Sequence, residues 1–222
     1  MKNITSAMLG LLFVGTSLTG AATEPFNYNY IGTTYDYQKI GVKGFGEEVL
    51  GHYVSAVYSE ELKKGLIYQF DVANDFVDDK VGTRGKKYSV DSNEILVGFS
   101  LGTHLPLTAK TDFIGTAKAT YAKYEFESRY SDDLTSTTLT EDEKKFRAGL
   151  DLSAGVRWFI TKYDTIDISP VLGVKINEDE TTPYARGRVS YHLYRTMEVY
   201  VDMTTHFDED YRAFGTGAYL YY

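Results

Sequence analysis

The chain has 222 residues, 43% of them hydrophobic and 15% aromatic, with 20 Tyr, 20 Gly, no Cys and a formal net charge of -8. This length fits one domain, and the acidic balance argues against nucleic acid, whose phosphates are held by Lys and Arg. The lack of Cys excludes disulfides, thiolate metal sites, a Cys nucleophile and a lipid anchor on an N-terminal Cys, and suits a chain exported through an oxidising periplasm.

No window reaches the about 18 continuous apolar residues of a membrane-spanning helix. The mean hydropathy of -0.29 therefore excludes a helical membrane protein. It does not exclude a β-barrel, in which alternation dilutes the apolar signal.

In chain order, the first segment reads as an export signal. Lys2 supplies the positive start, Ala7 to Val14 the short apolar core, and Gly20, Ala21 and Ala22 the small-residue cleavage site. A cut after Ala22 leaves Thr23 as the mature start, so that 1–22 is a signal peptide and 23–222 the remaining domain.

The first strand runs from Phe26 to about Gln38, its aromatic residues switching parity around Ile31. Lys39 to Glu48 reads as a loop. A second strand covers Leu50 to Ser59, Glu60 to Gly65 a tight turn, and a third strand sets Leu66, Tyr68, Phe70 and Val72 against Gln69, Asp71 and Ala73. Asp78 to Val90 reads as a polar loop. The fourth strand places Ile95, Val97, Phe99 and Leu101 on one face, and His104 to Lys110, with Pro106, reads as a turn. The fifth strand, Asp112 to about Glu127, changes apolar parity at Tyr124 and Phe126, for which a bulge near Lys123 is the expectation. Arg129 to Lys144 reads as the longest and most acidic loop.

Strands six and seven carry the clearest signal. Phe146, Leu150, Leu152, Val156, Trp158 and Ile160 alternate with Arg147, Asp151, Ser153 and Arg157; Ile166, Ile168, Leu172, Val174 and Ile176 alternate with Asp167, Ser169 and Lys175. Period two is a strand signature, and such runs outlast the average of about 5–6 residues for a strand. One face is apolar and the other charged or small, as lipid outside and a polar lumen inside require. Strand eight sets Val189 and Tyr191 against Arg186, Arg188 and His192. Strand nine sets Val199, Val201 and Met203 against Glu198 and Asp202, and strand ten ends on Leu220 and Tyr222.

Links after odd strands are polar and mostly long, and links after even strands are short, as in an outer-membrane barrel with short periplasmic turns. The expected fold is therefore all-β: a transmembrane antiparallel up-and-down β-barrel of ten strands, with eight as the alternative. Both termini fall on the periplasmic side, and strand one pairs with strand ten because an unpaired edge in lipid costs several kcal/mol.

The C-terminal Ala218 to Tyr222, with Leu220 and the aromatic Tyr222, resembles the insertion signal of outer-membrane barrels, which implies contact with the barrel-assembly machinery. Phe26 to Tyr30, Gly51 to Leu66, Val97 to Asp112 and Ala148 to Trp158 resemble the small porin-like, opacity-type outer-membrane barrel proteins of Gram-negative bacteria. That resemblance implies the fold and a cell-envelope location, with lipid and lipopolysaccharide as surroundings. It implies no reaction.

Twelve inward positions carry charge or a titratable ring: Asp71, Lys118, Arg147, Asp151, Arg157, Asp167, Lys175, Arg186, Arg188, His192, Glu198 and Asp202. Both signs crowded into a narrow lumen must pair, so Arg157, Arg186 and Arg188 are expected to face Asp151, Asp167, Glu198 and Asp202. Such a network plugs the barrel; its alternative role is a selectivity filter or gated pore. His206 with Asp208 and Asp210, or Asp75, Asp78 and Asp79, would be the rim groups of an omptin-type hydrolase, and His52 near Ser55 a sketch of an acyl-transfer site. Acidic triplets at Glu141, Glu178 and Asp208 could hold divalent cations at lipopolysaccharide. The expectation is a monomeric non-enzyme with no cofactor, acting as a scaffold, surface contact or narrow pore, with a passive small-solute channel as the alternative.

Overall fold

The computed structural model describes residues 26–42, 47–63, 65–83, 86–132, 135, 137–161, 163–178, 180–193, 196–207 and 210–222. The proposed signal peptide lies outside these residues.

Ten strands form one closed antiparallel barrel in which each strand pairs with its chain neighbours and the first with the last. They are β1 (Tyr30–Gly41), β2 (Glu48–Lys63), β3 (Leu66–Thr83), β4 (Lys86–Thr108), β5 (Thr111–Asp132), β6 (Thr137–Phe159), β7 (Ile166–Asn177), β8 (Thr181–Leu193), β9 (Met197–His206) and β10 (Tyr211–Tyr221). The seam runs unbroken from Tyr30↔Tyr221 to Ile40↔Tyr211. Closure leaves no edge at this height, the condition lipid imposes on a sheet.

The alternation is inside-out relative to a soluble protein. Leu172 (64% exposed), Val201 (60%) and Trp158 (48%) stand on the outer face, whereas Asp112, Asp167 and Glu198 on the inner face are 0–1% exposed. Phe70, Val97, Phe99, Leu101, Val189, Phe214 and Leu220 continue the apolar outer surface around the wall.

Strand lengths are uneven. β1 and β7–β10 have 10–13 residues, close to the about 9–11 a tilted strand needs to cross the hydrocarbon. β3–β6 have 18–23. The extra residues carry these four strands beyond the apolar band as a wall, by about 23 Å of strand in β3 and about 35–40 Å in β4–β6 at about 3.3 Å per residue. The polar stretches read as loops at Asp78–Val90 and Arg129–Lys144 are mostly the strands of this wall. Beyond the apolar band the outer face no longer meets lipid, so the apolar alternation fades while the hairpin continues.

At its two sides the wall has free edges. β6 pairs only with β5 from Thr137 to Ala148, because β7 joins it at Gly149, and β3 beyond Val77 pairs only with β4. Glu141, Asp142, Glu143, Lys144 and Lys145 on the β6 edge are the charges that discourage a stray strand from pairing there.

No bulge occurs near Lys123; the β5 register is continuous on both sides there. Tyr124 and Phe126 lie inward because the wall changes its burial preference above the apolar band. Val49, Val77 and Val90 are buried there, with Ile40, Val81, Tyr88 and Phe126 against them. The register shifts that do occur lie near the turns, at Glu61/Lys63 and at Pro106/Thr108, where proline has no N–H to give the ladder. In the β2–β3 turn Gly65 takes φ +85°, a conformation costly for other residues.

Candidate functional site

The lumen is filled in layers, starting at the end where Phe26 and Tyr222 lie. The segment Phe26–Asn29 precedes β1 and runs inside the barrel. Phe26 stacks on Phe159 with ring centroids 4.3 Å apart, and the Arg157 guanidinium lies 4.5 Å from the Phe26 ring. The Tyr28 hydroxyl donates to Asp112 Oδ2 at 3.0 Å, its ring packs 4.3 Å from His104, and Ser59 Oγ donates to the Tyr28 carbonyl at 2.7 Å. Ile67 and Ile114 complete an apolar cluster with Phe26, Tyr28 and Phe159.

His104 is a strand residue of β4 and not a turn residue. It is buried, with Nε2 3.2 Å from Glu61 Oε1 and Nδ1 3.2 Å from Asp112 Oδ2. Its alternation phase with Ser100 and Gly102 could have placed it inside; Pro106 two residues on drew the turn reading.

Beside this plug lies an ionic knot. Arg157 Nη2 donates to Asp167 Oδ2 at 2.9 Å and also to Glu198 Oε2. His192 Nε2 sits 2.6 Å from Asp167 Oδ2, Ser169 Oγ donates to Asp167 Oδ1 at 3.2 Å, and the Tyr221 hydroxyl donates to Glu198. Arg157 faces inward by the alternation of β6; beside it the β6–β7 ladder passes from Gly155↔Val171 to Trp158↔Ile168, leaving Val156 and Arg157 without ladder partners next to Pro170, which has no N–H. Asp167, His192 and Glu198 offer three donor atoms within 4.8 Å of one another, but the cation among them is the guanidinium of Arg157.

Above the knot is an aromatic layer. Arg188 donates through Nε and Nη2 to Asp202 Oδ2 at 3.1 and 2.8 Å, and through Nη1 to the Tyr219 hydroxyl at 2.6 Å. Its guanidinium lies 3.6 Å over the Tyr200 ring. Tyr30 stacks on Tyr219 at 4.3 Å and receives a hydrogen bond from Gln69 Nε2 at 2.6 Å. The aromatic residues of strand one thus divide by side without a break in phase: Tyr28 and Tyr30 are buried, and Tyr35 is exposed.

A cavity of about 510 Å³ runs from Tyr28 and Arg157 up the lumen to Arg147 and Glu94. Lys118 Nζ donates to Asp71 Oδ2 at 2.7 Å. Asp151 does not meet an arginine; it accepts from the Tyr184 hydroxyl at 2.9 Å. Arg186 lines the cavity without joining a carboxylate. Arg147 lies 3.7 Å over the Tyr124 ring and 3.9 Å from Glu143, and Lys175 is 5.8 Å from the Tyr184 ring. Asp36, Gln38, Asp75 and Glu94 also line the cavity. Sequence reading set Asp75 at the outer rim, and it missed Asp36, Gln38 and Glu94 because the phase of strand one was unclear and Glu94 precedes the apolar run of β4.

The other candidate constellations are not assembled. His52 and Ser55 lie on opposite faces of β2: the His52 ring is 2.8 Å from the Tyr35 hydroxyl outside, while Ser55 is buried. Asp75 accepts from Gln38 Nε2 at 3.2 Å, and Asp79 accepts from the Leu50 and Lys80 N–H groups at 2.8 and 2.7 Å. His206 stacks on Tyr211 at 4.2 Å; its expected partner Asp208 lies outside the described residues, as do Asp179 and Glu209 of the acidic triplets. Above the apolar band, Lys123 bonds Glu125 at 2.9 Å, and this hydrogen bond holds the Glu125 carboxyl below its ordinary range.

Closed ten-stranded order, apolar exterior, polar lumen and short turns at the terminal end define an all-β barrel of the outer-membrane type. No family model and no curated protein matches the chain. Among solved structures, the β domain of the Bordetella autotransporter BrkA covers 88% of this chain and 100% of its own at 10% identity, with a TM-score of 0.56. The translocator domain of autotransporter NalP from Neisseria meningitidis covers 98% of this chain and 96% of its own at 10% identity and a TM-score of 0.48. A NanC porin covers 86% and 100% at 9% identity and a TM-score of 0.45. At 10% identity the likeness to the BrkA β domain is one of fold.

Proposed function

We propose that this protein is an integral outer-membrane barrel without enzymatic activity, closed to passive flow and presenting its β3–β6 wall at the cell surface. The observation that carries this reading is the plug: Phe26 on Phe159, beside a guanidinium shared between two buried carboxylates. Charges buried this deeply and bonded on several sides are held in place, since exposing one leaves its partner uncompensated. In this reading residues 1–22 are removed on export, both termini are periplasmic, and Leu220 and Tyr222 engage the assembly machinery. The wall then stands among lipopolysaccharide, with Glu141, Asp142 and Glu143 near its free edge.

A narrow or gated pore is the second reading, favoured by the cavity above the plug. Planar-bilayer recording separates the two. The refolded protein is expected to insert without steady conductance; a stable ion-selective step would replace the closed reading with the pore.

A further inference from the structure

Most of the lumen charges that lack an ion pair fall on two sides; the exception is Asp151 on β6, which accepts from the Tyr184 hydroxyl and is the ladder partner of Lys175. The inner face carries Asp36 on β1, Asp75 on β3 and Glu94 on β4, against Lys175 on β7 and Arg186 on β8, and all five line the same cavity. In the closed strand order β7 and β8 lie three to five strands around the barrel from β1, β3 and β4. Among the described residues the lumen ion pairs join Lys118 to Asp71, Arg157 to Asp167 and Glu198, and Arg188 to Asp202; none takes in any of these five.

They nonetheless feel one another. Asp36 lies beside the Asp202 carboxylate over Gly215 and is acted on electrostatically first by Asp202 and Arg188, then by Arg186 and Lys175; Lys175 also acts on Asp75 and Glu94. These five groups are near enough to interact and too far apart to touch. Asp36 Oδ1 is buried and accepts no hydrogen bond, and Asp75 has only the neutral Gln38 amide. A buried acceptor left unmade is costly, and so is a partly desolvated charge without a counter-charge.

A lone anion entering the gap would satisfy one wall and lie near the acids of the other, and a lone cation would meet the converse problem. A molecule carrying both charges satisfies both walls. We propose that this chamber binds a small zwitterionic solute of the amino-acid kind, its carboxylate on Arg186 and Lys175 and its ammonium on Asp36 and Asp75. The guanidinium fork of Arg186 suits a carboxylate in two-point contact, and about 510 Å³ falls within the usual range of small-molecule sites. Lys175 is exposed although it faces inward, so solvent reaches the chamber from the end away from the plug. Binding therefore needs no through-channel and goes beyond the reading above.

The test is titration calorimetry on the full refolded chain in detergent, with ε-aminocaproate as the zwitterionic probe and caproate and hexylamine as its two halves. The probe is expected to bind saturably, and each half about tenfold more weakly or worse. Arg186→Gln and Asp36→Asn are each expected to weaken the probe about tenfold, with heat-modifiable migration verifying that the variants fold. Lys175→Met is the substitute if either does not. Caproate binding as tightly as the probe would replace the proposal with an anion site, and equally tight hexylamine with a cation site. No saturable binding, or variants that bind like the parent, would overturn it. Steady conductance through the barrel would sink the closed reading and leave this result standing.

Discussion

Phe26 and Phe159 lie face to face inside the barrel, 4.3 Å apart and inclined by only 11°. One precedes the first strand and the other ends the sixth, so the stack ties the chain's entry to the far side of the wall. Deleting Phe26–Asn29 is expected to turn a silent barrel into a conducting one in planar bilayers. Unchanged silence would place the closure higher in the lumen.

Arg157 holds Asp167 and Glu198, both nearly without exposure. Arg157→Met keeps the stem and removes the charge, leaving two buried carboxylates facing each other. A loss of about 3–5 kcal/mol is expected, read as a lower urea midpoint in detergent. Adding Asp167→Asn and Glu198→Gln should recover part of it. A single variant as stable as the parent would mean that water already reaches the knot.

Much of this architecture was legible in the residues because lipid enforces alternation. Phe146–Trp158 and Ile166–Ile176 disclosed their inner and outer faces, and the number of strands followed. Above the membrane that enforcement stops, so Tyr124 and Phe126 turn inward without a bulge and the polar β5–β6 stretch remains sheet. Within the lumen, the residue types were legible but not their partners. Which inward groups meet depends on register and tilt, and Asp151 finds Tyr184 on β8, two strands away. The plug was missed for a related reason: the first strand was read as wall from Phe26 onward, whereas β1 begins at Tyr30 and Phe26 and Tyr28 precede it inside the barrel.

Leu172 is 64% exposed in the apolar band. Leu172→Arg should cost about 2–4 kcal/mol near the bilayer midplane, seen as reduced folding into vesicles. Tyr163→Arg, in the β6–β7 turn and 80% exposed, should fold like the parent. Equal behaviour of the two would contradict a lipid-facing band.

Gly217 is a point of close approach at the β1–β10 seam. A Cβ there would meet the Thr33 carbonyl oxygen and the Tyr200 hydroxyl. The backbone oxygen cannot step aside, so Gly217→Val is expected to destabilise by about 1–3 kcal/mol. Loss of the heat-modifiable band at lower temperature would report it; a rise in stability would mean that the seam has slack.

The unequal strand lengths give the molecule a front and a back. A particle gliding over the membrane meets β7–β10 as a low threshold and β3–β6 as a parapet. A molecule moving along the membrane surface therefore reaches the mouth most directly over the β7–β10 side. A ring of identical short strands would admit visitors from every compass point, whereas this barrel imposes an approach direction before any chemical recognition begins.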